Sequence, residues 1–151
     1  LPEKGAEAMK KEYKTFARQF AASIIARDYL SAHSMFAPWL QREVSPSKLQ
    51  EMIEAYLREL AEVWERDEMV YPADCRIDSN PCSLQYLRSD FTAGDMSVPD
   101  EVTDENFRQW LCIEFLPDAD EEFDACFDFW MGLVEIDGQH RVGFFDIADA
   151  D

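Results

Sequence analysis

A chain of 151 residues and 17.5 kDa is long enough to bury one core and short for two, so a single domain over 1–151 is expected. Hydrophobic residues at 47% and aromatics at 13% exclude a disordered chain, and 14 Lys plus Arg against 32 Asp plus Glu give a formal charge of -18, which repels nucleic acid and anionic lipid. The same field attracts a basic protein, and no run nears the roughly 18 apolar residues of a membrane span.

From about Ala6 to Arg27, Met9, Tyr13, Phe16, Phe20 and Ile24 recur at three and four, which predicts an amphipathic helix. Asp28 stands where a carboxylate caps a second helix with Tyr29, Ala32, His33, Phe36 and, at its far end, Leu40 on its apolar face, and Pro38 limits its regularity beyond Phe36. Ser45-Pro46 opens a third helix, with Leu49, Met52, Ile53, Tyr56, Leu57, Leu60 and Trp64 inward and Glu54–Arg58 and Glu62–Arg66 as surface ion pairs.

Tyr71-Pro72, Asn80-Pro81, Gly94 and Val98-Pro99 break the chain between Asp67 and Asn106, where short strands are expected near Cys75–Ile77 and Leu84–Arg88. Phe107 to Leu116 alternates as a strand, with Phe107, Leu111, Ile113 and Phe115 on one side. Phe123 to Ile147 reads as a long hairpin turning at Asp137-Gly138. That turn sets Ile136 against Gln139, His140 against Glu135, Leu133 against Val142, Met131 against Phe144, Gly132 against Gly143 and Asp146 against Phe129. The result is a three-stranded antiparallel meander.

Cys75, Cys82, Cys112 and Cys126 lack the close paired spacing of a zinc site and are expected as reduced thiols, Cys112 and Cys126 on the face away from the helices. A bridge between Cys75 and Cys82 is the alternative in an oxidising compartment. Asp118, Asp120, Glu122 and Asp124 alternate like a calcium loop, but Phe123 and Phe129 stand where that loop needs glycine and a bidentate glutamate, so no metal and no cofactor are expected. A cytoplasmic location follows from the reduced thiols, with export left open because the sequence starts Leu-Pro-Glu.

The long first helix, the Asp-Tyr-x-x-Ala-His-x-x-Phe segment from Asp28 to Phe36, a third capped helix and a terminal hairpin together resemble the nuclear transport factor 2-like superfamily, with its SnoaL-like and ketosteroid-isomerase-like members. The resemblance covers the first 66 residues and the last 45. It implies an α+β fold in which three N-terminal helices pack on a curved antiparallel sheet, a cone-shaped roll with a pocket at its open end. Tyr29, His33, Tyr56, Phe129 and Phe144 would line that pocket, with Tyr29, His33 and Asp146 as its candidate catalytic groups. Members include enzymes and binding proteins, so fold alone does not give function.

The expected function is non-catalytic binding of a small apolar ligand or a protein. An isomerase or dehydratase is one alternative, and an immunity or accessory protein masking a basic partner is the other. The outer sheet face, with Trp130, Val134 and Phe145 beside Ile136, Ile147, Trp110 and Cys112, is apolar enough to predict a homodimer, unless residues 67–106 cover it.

Overall fold

Apolar residues three and four apart carry α1 (Pro2–Ile25), on which Tyr13, Phe16, Ala17, Phe20, Ala21 and Ile24 are buried. The computed structural model describes residues 2–79, 82–90 and 98–149; the Met9 side chain, Asn80, Pro81 and Gly94 lie outside the described residues. The chain leaves α1 through Arg27 in the left-handed region, φ 61°, with the Asp28 N–H donating to Ser23 O at 2.8 Å. Asp28 then caps α2 (Tyr29–Ser34), its carboxylate accepting from the Ser31 N–H at 3.1 Å.

Pro38 does more than limit α2. It occupies the first turn of a separate helix, α3 (Pro38–Glu43), where a missing N–H costs nothing. Four helices rather than three therefore precede the sheet, the last being α4 (Pro46–Val63), capped by Ser45 Oγ accepting from the Lys48 N–H at 3.1 Å. Leu49, Ile53 and Leu57 are buried along α4 and Met52, Tyr56 and Leu60 half-buried. Trp64 departs from the expected inward stripe: the helix stops at Val63, Glu65 takes a positive φ of 52°, and the indole is left exposed. Arg58 does approach Glu54, at 3.9 Å, but Arg66 pairs with Glu121 at 2.7 Å instead of with Glu62.

The fold is α+β, with an open antiparallel sheet in the order β1 (Asp74–Ser79), β2 (Phe107–Leu116), β3 (Phe127–Ile136) and β4 (Gln139–Ala148). Asp137 and Gly138, at φ 50° and 77°, make the tight turn, and Ile136 faces Gln139, Glu135 faces His140 and Leu133 faces Val142. Beyond Val142 the register departs from the expected ladder. Gly143 is an extra, unpaired residue, so Gly132 pairs with Phe144, Met131 with Phe145, Trp130 with Asp146 and Phe129 with Ile147.

Because side chains alternate, one inserted residue sends all later ones to the opposite face. Phe145 thereby joins the cluster that contains the helix residues, and Phe144 joins the cluster on the other side. Gly132 therefore faces Phe144 rather than Gly143, and the Phe144 ring stands 2.1 Å from where a Cβ on Gly132 would be. A second irregularity between Phe107 and Gln109 places Phe107 with the outer cluster, away from Leu111 and Ile113. Cys126 precedes β3 and belongs to the helix-side cluster, whereas Cys112 pairs with Trp130.

The main core joins α1, α2 and α4 to Leu111, Ile113, Phe115, Phe127, Phe129, Met131, Leu133, Val142, Phe145 and Ile147 of the sheet. Rings of Phe20, Phe36, Phe129 and Phe145 meet there at centroid distances of 4.9 to 6.0 Å. The second cluster covers the other sheet face. It rests on α5 (Leu84–Asp90), a helix where a strand was expected, because Ser83 Oγ accepts from the Tyr86 N–H and the i, i+3 pair Leu84 and Leu87 buries one face. The edge of β4 is covered too: the Ala37 N–H donates to Val142 O and the Val142 N–H to Met35 O, each at 2.8 Å, and Trp39 Nε1 donates to Gly143 O at 2.8 Å.

Candidate functional site

The spacing of Tyr29 and His33 does put both on α2, yet each is held by a structural partner. Tyr29 is buried with its hydroxyl 3.0 Å from that of Tyr71. His33 Nε2 lies 3.1 Å from Gln41 O; a carbonyl only accepts, so the ring donates, and Gln41 Nε2 returns a bond to His33 O at 3.2 Å. This exchange ties α2 to α3. Asp146 sits opposite Trp130, on the side of the sheet that the Gly143 bulge assigned to it, half-buried, with burial pushing its carboxyl above the ordinary range against a weaker opposing bond from Ile147. The catalytic candidates are thus on two faces of the sheet and form no acid–imidazole pair.

The remaining residues expected in the pocket divide in the same way. Tyr56 Oη donates to Ile147 O at 2.7 Å, clamping α4 to the end of β4; burial first, then the charge of Asp146, raises that phenol. Phe129 is packed in the main core and Phe144 in the outer cluster. Of the residues expected at a sheet interface, Phe145 is in the main core, Val134 is buried in the outer cluster and Trp130 is half-buried, its indole stacked on Trp110 at 5.6 Å.

A polar network that sequence spacing did not reveal links α2, α4 and the chain before β1. Tyr71 Oη donates to Glu54 Oε2 at 2.5 Å, Gln50 Nε2 donates to the same oxygen at 2.8 Å, and the Arg27 guanidinium lies 3.8 Å from the centre of the Tyr71 ring. With its single proton given to Glu54, Tyr71 accepts from Tyr29. Burial first, then the bond to Glu54, raises the Tyr71 phenol, while that bond holds the Glu54 carboxyl below its usual range. Neither phenol keeps a proton free for a substrate, so the network acts as a three-element clamp. The long separation of Tyr29, Glu54 and Tyr71 in the chain hid it: Tyr29 lies on α2, Glu54 on the charged side of α4 and Tyr71 in the irregular chain before β1.

Burial raises the Cys75 thiol and pushes Cys112 and Cys126 up to about 12, which disfavours the thiolate at these three positions. Cys75 is a free thiol, so the bridge to Cys82 is not formed. Among the described residues no cluster of His, Cys, Asp and Glu could hold a metal ion, and no helix is long and apolar enough to cross a membrane.

The most distinctive surface is built by the end of α4 and the loop before β3. Arg66 pairs with Glu121 at 2.7 Å and the Trp64 ring lies 5.6 Å from that of Phe123, so residues 59–68 and 118–124 are pinned together. Five of the first ten positions and five of the latter seven are carboxylates, opposed only by Arg66. Within them Val63 is 70% exposed and Trp64 38%. Tyr56, Leu60, Val63 and Cys126 line a hollow of about 130 Å³ next to this surface, together with Glu59, Ala125 and Asp149. No family model matches the chain, and no curated protein or solved structure matches it either.

Proposed function

We propose that this chain is a non-catalytic protein-binding α+β roll of the nuclear transport factor 2-like kind, its helices set on the concave face of its sheet, and that its surface at 59–68 and 118–124 masks a basic partner. The observation that carries the reading is the exposure of Val63 and Trp64 amid carboxylates on two pinned segments. Isolated exposed apolar residues are ordinary, but two adjacent ones inside a strongly acidic border suit a partner with an apolar knob ringed by Lys and Arg. The acidic border steers encounter, and the desolvated Trp64 contributes most of the grip.

The filled ring core and the separation of Tyr29, His33 and Asp146 favour binding over an isomerase or dehydratase. Affinity capture from native host extract with wild-type protein and with Val63→Asp/Trp64→Asp tests the proposal. Proteins held by the wild type alone should be basic and should elute as salt rises. If both baits retain the same proteins, or the differential set is acidic, the proposal fails.

A further inference from the structure

The charge of the chain is unevenly spread. Residues 10–27 hold Lys10, Lys11, Lys14, Arg18 and Arg27 against Glu12 alone, although the whole carries -18. The C-terminal hairpin turn comes up against this helix: the His140 ring meets Tyr13 edge-on at 5.3 Å and Phe16 at 6.1 Å. Between them lies an open depression of about 1000 Å³, with Lys11 on the helix side and Arg141 on the hairpin side.

Its floor is apolar, from Phe16 and Met35, and Gln19 is a neutral hydrogen-bonding group on its wall. Among the described residues that line it, Glu12 is the one carboxylate. The Arg141 guanidinium donates to Gln139 Oε1 and to His140 O, both neutral acceptors, and among the described residues no carboxylate forms an ion pair with Arg141 or Lys11. Two cations with no ion-pair partner among the described residues, set over an apolar floor, are unusual on so acidic a molecule. We infer that this depression binds an amphipathic organic carboxylate, with the acid group held by Arg141 and Lys11 and the apolar body laid on Phe16 and Met35. The planar guanidinium suits the two oxygens of a carboxylate, and the floor supplies what a bare anion could not use. The site lies apart from the surface of Val63 and Trp64 and does not depend on the proposed partner.

The test is a titration of isotope-labelled protein with octanoate, octanol and inorganic phosphate, followed by amide chemical shifts. Octanoate is expected to move Thr15, Gln19, Gly138 and Gln139 saturably, with about tenfold weaker binding in Arg141→Gln or Lys11→Gln and in high salt. Octanol and phosphate should each bind at least tenfold more weakly than octanoate. Lys11 is exposed, so Lys11→Gln retains the fold and reads the charge even if Arg141→Gln unfolds on a thermal melt. Absence of saturable shifts, octanol or phosphate binding as tightly as octanoate, or full affinity in Lys11→Gln would overturn the assignment.

Discussion

Of the described glycines Gly132 has the least room for a side chain, because a Cβ would come within 2.1 to 2.7 Å of three atoms of the Phe144 ring. That ring belongs to the packed outer cluster, so it cannot swing clear without leaving a void. Gly132→Ala is expected to cost about 2 to 3 kcal/mol, seen as a lower urea midpoint with unchanged slope. An unchanged midpoint would mean that the ring has another place to go. Glu54 and Asp146 make opposite pH predictions. Glu54, lowered chiefly by the Tyr71 hydrogen bond, contributes stability above its unfolded pKa of about 4.3, and loses it as pH falls through the lower folded value. Tyr71→Phe should therefore raise the Glu54 titration point and destabilise the protein more at pH 7 than at pH 3. Asp146, raised by burial, opposes folding when ionised, and that opposition fades as pH falls through its raised folded value. Asp146→Asn should raise the melting temperature at pH 7 and do so less at pH 3; an equal gain at both would trace to something other than charge.

Among the elements, α4 has the plainest role. Leu49, Ile53 and Leu57 enter the main core in one stripe, and Leu57 is fully buried. Leu57→Asp places a carboxylate there with no partner and is expected to cost about 3 kcal/mol or more; wild-type thermal unfolding would refute the packing. The strand β4 shows how one element can depart from a correct local pattern. Its turn and first pairs follow from Asp137-Gly138, yet the segment Met35 to Ala37 bonds to both sides of Val142 and Trp39 bonds to Gly143 O, at the position of the bulge. Those partners lie some hundred residues away in the chain. Period-two alternation cannot anticipate an extra residue that such partners stabilise.

For the molecule as a whole, the question is what covers the outer sheet face. Leu84, Leu87 and Val102 pack on Val134, Trp110 and Phe144, which is the intrachain cover that competes with a homodimer. A monomer at micromolar concentration, unchanged by Trp130→Glu, is expected from light scattering. A dimer abolished by that substitution would instead show that the half-buried Trp130 and its surroundings retain enough apolar area to associate. The distribution of charge belongs to the same scale: α1 holds five cations against three carboxylates in a chain whose net charge is -18.

The sequence by itself determined the elements whose cause is local. Asp28 and Ser45 as caps, the apolar stripes of α1 and α4 and the Asp137-Gly138 turn all follow from neighbours within a few residues. The strand expected at Leu84–Arg88 is a helix, because Ser83 caps it and Leu84 and Leu87 bury one face against a sheet whose position the local sequence does not contain. Only the tertiary structure decided which face Phe144, Phe145 and Asp146 occupy, because a bulge stabilised by remote partners changes the parity of everything after it. It also decided the candidate site. Tyr29 and His33 were taken by Tyr71 and Gln41, and Val63 and Trp64 were left exposed beside a remote acidic loop, because hydrogen-bond partners and solvent exposure depend on which distant segments meet.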